Sequence, residues 1–290
     1  RQADCVIAYL RVPVQLWTWE WDPASRMTDD QRDLRVCVSG HELRVRWCAL
    51  RRRLDQPVIV LLHQGLGSIT QWRNFPEKLA EATGCAAVAY DRWGHGGSER
   101  LTAPRPPSFL DDEAEQALPE LLDKLEITRA ILYGHSDGGS IALLFAAAYP
   151  TRALAVISEA AHVFSEAQSA SGFGEVIAAF ERGGLRERLA RHHGDNVDTM
   201  FRGWAEVWQS PAMRDWRMTD RLPAVRCPVL AMQGENDDHG SPAQVEAIAA
   251  GVGGPVESWL VPGCGHAPHL EAMEAVVVRT AAFVSRFVKS

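Results

Sequence analysis

A serine lies between two glycines in the segment Gly134-His135-Ser136-Asp137-Gly138, which has the spacing G-x-S-x-G. The apolar run 130–133 comes before this segment and the small-residue run 141–148 comes after it, as expected for a strand, a sharp turn and a helix. The turn requires glycines because a Cβ at either position would meet the neighbouring backbone. The turn exposes the serine Oγ above the sheet, at a helix N-terminus that favours negative charge. The pattern predicts that Ser136 is a nucleophile.

A serine hydroxyl needs a base, because it is a poor nucleophile near neutral pH. A glycine-rich loop late in the chain, Gly263-Cys264-Gly265-His266, supplies a histidine for this role. His269 follows closely, and we expect it to be a structural residue at the start of the last helix. The sequence therefore predicts that His266 is the general base.

The base in turn needs an acid that fixes its tautomer, and this acid is expected after a late strand. The turn at 234–238 supplies three candidates. Asp237 is the predicted acid, Asp238 is the first alternative and Glu235 is the second. The predicted triad is thus a serine, an aspartate and a histidine, in that order along the chain.

A second glycine-rich turn, His63-Gln64-Gly65-Leu66-Gly67-Ser68, follows the apolar run 57–62. Such a turn leaves backbone N–H groups unpaired, and we expect it to lie close to Ser136. The turn is therefore predicted to supply half of an oxyanion hole.

Strands and helices alternate along most of the chain, which predicts an α/β fold with a mostly parallel sheet and helices on both faces. Such sheets bind ligands beyond the carboxyl ends of their strands, and each predicted site segment follows a strand. The predicted strands are 34–38, 43–49, 57–62, 85–90, 130–133, 154–158, 227–234 and 256–261. The predicted helices of this core are 75–82, 112–125, 141–148, 242–250 and 270–288.

Residues 161–222 carry no strand signal and contain helical stretches at 174–181, 185–193 and 196–207. We predict that this segment is a helical lid inserted into a core formed by 27–160 and 223–290. Its candidate pocket-lining residues are Phe164, Phe173, Met200, Trp204 and Trp208. Among these, Phe164, Trp204 and Trp208 are predicted to bind substrate, and the alternative is that they pack only within the lid.

Composition and charge argue against several classes of function. The 290 residues are 46% hydrophobic and 23% charged, and the net charge of -7 argues against a nucleic-acid partner. No apolar run reaches the length of a membrane span. Six cysteines without C-x-x-C spacing are typical of buried thiols in a reducing compartment, so we expect a cytoplasmic location. Neither a metal nor a cofactor is predicted, and a homodimer is left open.

Residues 1–26 differ in character from the rest of the chain. Trp17, Trp19 and Trp21 alternate as on one face of a strand, and the polar residues after Met27 resemble an ordinary protein start. We interpret 1–26 as an N-terminal extension, either native or of other origin, and assign it no function.

Together these segments resemble the α/β-hydrolase fold family over about residues 35–288. The matching motifs are His63-Gln64-Gly65-Leu66-Gly67, Asp91-Arg92-Trp93-Gly94-His95-Gly96-Gly97-Ser98, Gly134-His135-Ser136-Asp137-Gly138-Gly139, the turn 234–237 and Gly265-His266. The resemblance implies that the oxyanion donors are the backbone N–H groups of Asp137 and of Leu66 or Gly65. Gln64 follows His63 where the family more often has glycine, which leaves the loop donor defined only to within one residue.

The predicted reaction is hydrolysis of a small or medium carboxylic ester through an acyl-enzyme formed on Ser136. Haloalkane dehalogenases and epoxide hydrolases of the same fold use aspartate instead of serine at this position. Alternatives that share the triad are a meta-cleavage C–C bond hydrolase, a thioesterase, a lactonase, an amidase and an aminoacyl-ester hydrolase. The non-enzyme alternative is a ligand receptor on a hydrolase scaffold.

Asp137 has two interpretations. The run Ser136-Asp137-Gly138-Gly139 looks like that of the valacyclovir hydrolases, in which the acidic residue after the serine helps to hold a substrate amino group. Alternatively, its carboxylate only complements the dipole of the helix that it starts. We favour the second interpretation, because an acid at a helix start needs no substrate to explain it.

Overall fold

A computed structural model describes residues 33–49, 57–182 and 184–287. The described strands are β1 (Asp33–Val38), β2 (His41–Ala49), β3 (Val58–Leu62), β4 (Ala86–Tyr90), β5 (Ala130–His135), β6 (Ala153–Glu159), β7 (Val229–Gly234) and β8 (Val256–Val261). They form one sheet in the order β1-β2-β4-β3-β5-β6-β7-β8. β2 pairs antiparallel with β1 and β4, and all other neighbours are parallel. The predicted mostly parallel sheet is therefore confirmed.

The described helices are α1 (Phe75–Thr83), α2 (Phe109–Asp112), α3 (Leu118–Lys124), α4 (Asp137–Ala148), α5 (Ala167–Glu181), α6 (Leu185–His193), α7 (Val197–Gln209), α8 (Ala243–Gly251), α9 (Pro268–Glu271) and α10 (Met273–Phe287). A π-helical segment, Glu113–Ala117, joins α2 to α3, so the predicted helix 112–125 contains a wider turn. The prediction of one continuous last helix, 270–288, is wrong, because the helix is interrupted at Ala272, between α9 and α10.

Alternate residues of the central strands pack against different helices, which is why these strands read as continuous apolar runs. On β3, Val60 belongs to a core cluster that contains residues of α2, α3 and α4. Its neighbours Ile59 and Leu61 belong to a second cluster with residues of α1 and α10. The sheet is thus covered on both faces, and its site-bearing loops emerge at one edge.

The first two predicted strands, 34–38 and 43–49, correspond to β1 and β2 and form an antiparallel hairpin. Ser39 and Gly40 both have positive φ, at 51° and 83°, and Val38 pairs with His41 across the turn. Two such residues give the twist that a two-residue hairpin loop requires. β2 then pairs with β4 and joins the hairpin to the parallel strands.

Helices α5, α6 and α7 lie between β6 and β7 in the chain. α6 and α7 match the predicted stretches to within two residues, whereas α5 begins at Ala167 rather than at 174. The three helices contribute a separate apolar cluster, formed by Phe180, Leu189, Val197, Met200, Phe201, Trp204 and Ala205, with Leu66 of the core packed against it. Their role as a lid stays a prediction. The extension 1–26 lies outside the described residues. Across the described part of the chain, no helix has the length and apolarity to cross a membrane.

Candidate active site

Ser136 lies at the sharp turn between β5 and α4, with a positive φ of 54° and ψ of -119°. A Cβ on Gly134 would lie 2.1 Å from the carbonyl oxygen of Gly138, and a Cβ on Gly138 would lie 2.0 Å from that of Leu62. These glycines therefore permit a turn that no other residue would fit. A non-glycine residue in such a conformation costs about 1–3 kcal/mol, and the surrounding structure must hold it there.

Asp237 and His266 meet at the carboxyl ends of β7 and β8. The imidazole Nδ1 of His266 lies 2.9 Å from Oδ1 and 3.0 Å from Oδ2 of Asp237. Burial opposes ionisation of the Asp237 carboxyl, but the interactions with His266 and His239 together outweigh burial and lower its pKa below the usual value. The neighbouring Asp238 has an 81% exposed side chain, and its carboxylate contacts His239. The structure thus pairs Asp237, rather than Asp238, with the histidine.

The turn that carries Ser136, called the elbow below, is hydrogen-bonded directly to the loop that carries His266. The ring nitrogen Nε2 of His135, the residue before Ser136, lies 2.7 Å from the carbonyl oxygen of His266. This contact brings the segment that carries the predicted base beside the segment that carries the predicted nucleophile. The three predicted triad residues therefore belong to loops at the same edge of the sheet.

Three further histidine rings surround His266. The ring of His239 stacks on it with centroids 4.3 Å apart, and the rings of His135 and His162 lie at 5.0 and 6.4 Å. Burial lowers the pKa of His162 to about 4 and that of His135 to about 3, so both rings are neutral near pH 7. No sequence signal at these scattered positions predicts this cluster, because it forms only when four loops converge.

The turn 63–68 is fixed through its carbonyl groups. His95 Nε2 donates to the carbonyl of Gly65 at 3.0 Å, and His193 Nε2 donates to the carbonyl of Leu66 at 3.1 Å. A Cβ on Gly65 would lie 3.0 Å from Oδ2 of Asp137, so this turn lies beside the elbow, as predicted. The proximity allows backbone N–H groups of both segments to serve one oxyanion, the role that the sequence predicts for them.

The carboxylate of Asp137 is buried and lies near two guanidinium groups. Arg92 Nη2 is 3.9 Å from Oδ2 of Asp137, and Arg92 also donates to the carbonyl of Gln64 at 2.9 Å. Burial raises the pKa of Asp137, while the positive charges of Arg92 and Arg105 and a hydrogen bond from Trp208 act in the opposite direction. Asp137 is indeed the first residue of its helix. The sequence analysis missed the two arginines, which no local pattern connects to the elbow.

The predicted lid aromatics take different positions. The indole of Trp204 lies over Gly65, and the ring of Trp208 lies 5.8 Å from that of His162. Phe164 instead pairs with Arg217 at the base of the insertion and packs against the main core cluster. Met200 is fully buried within the insertion. The Phe173 side chain lies outside the described part of the structure.

The turn 91–98 has a structural role beside the site, since its first residue binds two backbone N–H groups. The Asp91 carboxylate accepts the backbone N–H of Ile69 at 2.6 Å and that of Gly97 at 2.8 Å. A Cβ on Gly96 would lie 2.2 Å from this carboxyl group, so the turn closes tightly around it. Asp91 thereby anchors the chain that follows the 63–68 turn.

Among the residues that the structure describes, two groups of side chains have ligand atoms close enough to hold a metal ion. His135, Glu159 and His269 form one, and Asp237, His239 and His266 form the other, each with its ligand atoms within 4.8 Å of one another. In both groups the carboxylate already accepts a hydrogen bond from a histidine ring, at 2.9 Å. Hydrogen bonding therefore accounts for both arrangements.

The fold and the Ser136 turn are typical of one family of known proteins. The model of the alpha/beta hydrolase family matches residues 59–280. The chain belongs to this family.

Curated relatives are enzymes of several kinds. The chain is 28% identical over 260 residues to the dihydrolipoyllysine-residue acetyltransferase component of the acetoin cleaving system of Pseudomonas putida, which covers 83% of this chain and 67% of that protein. It is 28% identical over 176 residues to the serine hydrolase BPHL of Homo sapiens, covering 58% of this chain and 57% of that protein. The chain thus spans about two thirds of the first relative and little more than half of the second. The family and the second relative are named as hydrolases, whereas the first relative is named as an acetyltransferase component.

Solved structures share the fold over most of the chain. Proline iminopeptidase from Mycobacterium smegmatis superposes with a TM-score of 0.68 at 23% identity, covering 88% of this chain and 98% of that chain. A thermophilic esterase from Thermogutta terrifontis gives 0.68 at 20% identity, covering 89% and 100%. At these identities the likeness shows the fold alone.

Proposed function

We propose that this protein is a serine hydrolase of small or medium carboxylic esters, with Ser136, Asp237 and His266 as its triad. The observation that carries the proposal is the pairing of His266 Nδ1 with both carboxylate oxygens of Asp237, on the loop that His135 joins to the strained Ser136 turn. An acid on Nδ1 fixes the proton there and leaves Nε2 free to accept a proton from serine. This is the arrangement that nucleophilic catalysis by serine requires.

In the proposed reaction, Ser136 Oγ attacks the ester carbonyl while its proton passes to Nε2 of His266. The tetrahedral oxyanion is held by backbone N–H groups of Asp137 and of Leu66 or Gly65. His266 then returns the proton to the departing alkoxide, which leaves an acyl group on Ser136. A water molecule gives a proton to His266 and attacks the acyl carbonyl, and collapse of the second tetrahedral species releases the acid and restores the serine.

The surroundings of Asp137 favour a neutral ester over an aminoacyl ester. A substrate ammonium group would compete with Arg92, whose Nη2 is 3.9 Å from the carboxylate, and would meet the positive charge of Arg105 nearby. Bringing a third positive charge to one buried carboxylate costs Coulomb energy that the carboxylate alone offsets only in part. The proposed substrate therefore carries no amino group next to the reacting carbonyl. Thioesters, lactones and C–C bonds require the same triad and remain alternatives to test.

The proposed function is tested with p-nitrophenyl butyrate and a serine-reactive phosphonate. The wild type should turn over the ester and incorporate one phosphonate, at Ser136. Ser136→Ala should fold normally and lose several orders of magnitude of kcat, because it lacks the Oγ on which the proposed acyl-enzyme forms. A panel of acyl chain lengths, a thioester, a lactone and a ring-fission dienoic acid then ranks the substrate classes. Retained turnover in a folded Ser136→Ala variant would rule out the mechanism.

A further inference from the structure

Glu159, the last residue of β6, is a fully buried carboxylate behind the proposed triad. It accepts three hydrogen bonds: from the Tyr133 hydroxyl at 2.6 Å, from the backbone N–H of His269 at 2.8 Å and from His269 Nδ1 at 2.9 Å. Burial opposes its ionisation, but the interactions with His269, His135 and Tyr133 together outweigh burial and lower the pKa of Glu159 to about 2. Glu159 is therefore a buried charge at neutral pH, an expensive feature that hydrophobic packing alone would not require.

The backbone of Glu159 holds the nucleophile turn. Its carbonyl oxygen accepts the N–H of Ser136 at 2.8 Å, and His135 is its partner in the β5–β6 ladder. The same residue thus binds the elbow through its main chain and the segment after His266 through its side chain. His269 is only three residues from His266, so this contact anchors the far side of the loop that carries the proposed base.

His135 anchors the near side of that loop. Because the carbonyl of His266 can only accept, Nε2 of His135 must carry the proton in their 2.7 Å hydrogen bond. A neutral imidazole has one N–H, so Nδ1 of His135 is left as a bare acceptor, and it is buried with no hydrogen-bond partner among the described residues. Leaving a buried acceptor unpaired costs stability, and the tie to His266 explains why the ring is held in this orientation.

We propose that Glu159 is a positioning residue that, together with His135, holds the His266 loop in register with the Ser136 turn. This inference rests on the proposed function. Ser136 follows β5 and His266 follows β8, and two strands, β6 and β7, lie between them in the sheet. Glu159 bridges this gap. Its carbonyl oxygen binds the backbone of Ser136, and its carboxylate binds His269 in the short helix that follows His266. A catalytic pair displaced by about 1 Å loses about 100-fold in rate.

The chain offers a matched control for the test. Glu113 is also a buried carboxylate that accepts a tyrosine hydroxyl, from Tyr90 at 2.7 Å, but it lies in the π-helical segment between α2 and α3. Glu159→Gln and Glu113→Gln therefore make the same carboxyl-to-amide change in similar buried tyrosine pairs. We expect Glu159→Gln to lower kcat for p-nitrophenyl butyrate about 10- to 100-fold with KM within about 2-fold of the wild type. Glu113→Gln should leave both constants within about 2-fold.

A second variant covers the case in which Glu159→Gln fails to fold. His135→Phe keeps an aromatic ring in place and removes the donor to the His266 carbonyl, so it should lower kcat in the same way. A downfield proton spectrum gives a readout that needs no turnover, since the His266 Nδ1 proton is bonded to Asp237. This signal should shift or broaden in Glu159→Gln and His135→Phe but not in Glu113→Gln.

The outcomes separate the two proposals. If the wild type neither hydrolyses esters nor reacts with the phosphonate, the proposed function is refuted. The His266 proton signal then still tests whether Glu159 positions the His266 loop. Unchanged kcat and an unchanged signal in the folded Glu159 and His135 variants overturn the positioning role. Equal kcat losses in Glu159→Gln and Glu113→Gln also overturn it, because such losses would be explained by a general loss of protein stability.

Discussion

Replacing Asp237 by asparagine tests the assignment of the acid, since the chain offers an adjacent aspartate as a control. Asp237 holds His266 Nδ1 with both oxygens and also accepts the backbone N–H of His239 at 2.9 Å. An asparagine can keep the bond from His239 through its oxygen. Its amide group then faces Nδ1 and donates to it, which forces the imidazole proton onto Nε2. In that tautomer His266 cannot accept the proton of Ser136.

The two aspartates differ in expected effect by several orders of magnitude. The wrong tautomer in a triad of this kind lowers kcat about 10⁴-fold, or about 5.5 kcal/mol of transition-state stabilisation. The Asp238 carboxylate is exposed and contacts His239 rather than His266. An exposed pair of this type contributes about 0.2–1 kcal/mol, so Asp238→Asn should change kcat by less than about 5-fold.

The assay is steady-state hydrolysis of p-nitrophenyl butyrate by the wild type and both variants, with thermal unfolding as the control for folding. Phosphonate labelling of Ser136 should slow in parallel with kcat in Asp237→Asn, because both reactions need the same proton transfer. The reasoning is refuted if Asp238→Asn is the crippled variant, or if folded Asp237→Asn retains more than about a tenth of the wild-type kcat.

Two further predictions concern substrate charge and pH. The first uses the ratio of kcat/KM for a valine ester to kcat/KM for a neutral isostere. This ratio should be the same in Asp137→Asn and in the wild type, because Arg92 already neutralises the carboxylate. A wild-type preference for the amino ester of about 10- to 150-fold that disappears in the variant would instead show that Asp137 binds a substrate ammonium group. His162 has a folded-state pKa of about 4, below its usual value of 6.5, because it is buried. The contribution of neutral His162 to the free energy of unfolding is therefore fully present above about pH 6.5. It is lost as the pH falls through about 4, and this lowers the free energy of unfolding by about 3 kcal/mol at most. Urea unfolding at pH 7.5 and 4.5 should show a smaller loss in His162→Gln than in the wild type, and equal losses would contradict this account.

Much of the architecture could be predicted from the sequence, because it follows from local patterns. The run 57–62 is continuously apolar, and it forms a central strand whose alternate residues enter opposite core clusters. Gly134 and Gly138 mark the elbow because a Cβ at either position would meet backbone, that of Gly138 in the first case and that of Leu62 in the second. Two helices of the insertion, α6 and α7, lie close to the predicted stretches 185–193 and 196–207. Helix interruptions were harder to predict, since the break at Ala272 lies within an otherwise continuous helical pattern.

The sequence alone also narrowed the candidate site to a few positions, because a nucleophile, a base and an acid must follow strands in an α/β fold. It could not choose firmly between Asp237 and Asp238, which have the same side chain and adjacent positions. The tertiary structure distinguishes them: one carboxylate faces His266 from a buried position and the other faces solvent.

Tertiary structure alone decided the environment of the predicted residues. Asp137 acquires Arg92 as a neighbour from a loop after a different strand, so its electrostatic setting is invisible in its own segment. Glu159 looks like an ordinary strand end in the sequence, yet it contacts Tyr133 and His269 at the same time. Short-range patterns reflect the backbone geometry of single elements, whereas charge pairing and burial depend on distant segments that meet only when the sheet has formed.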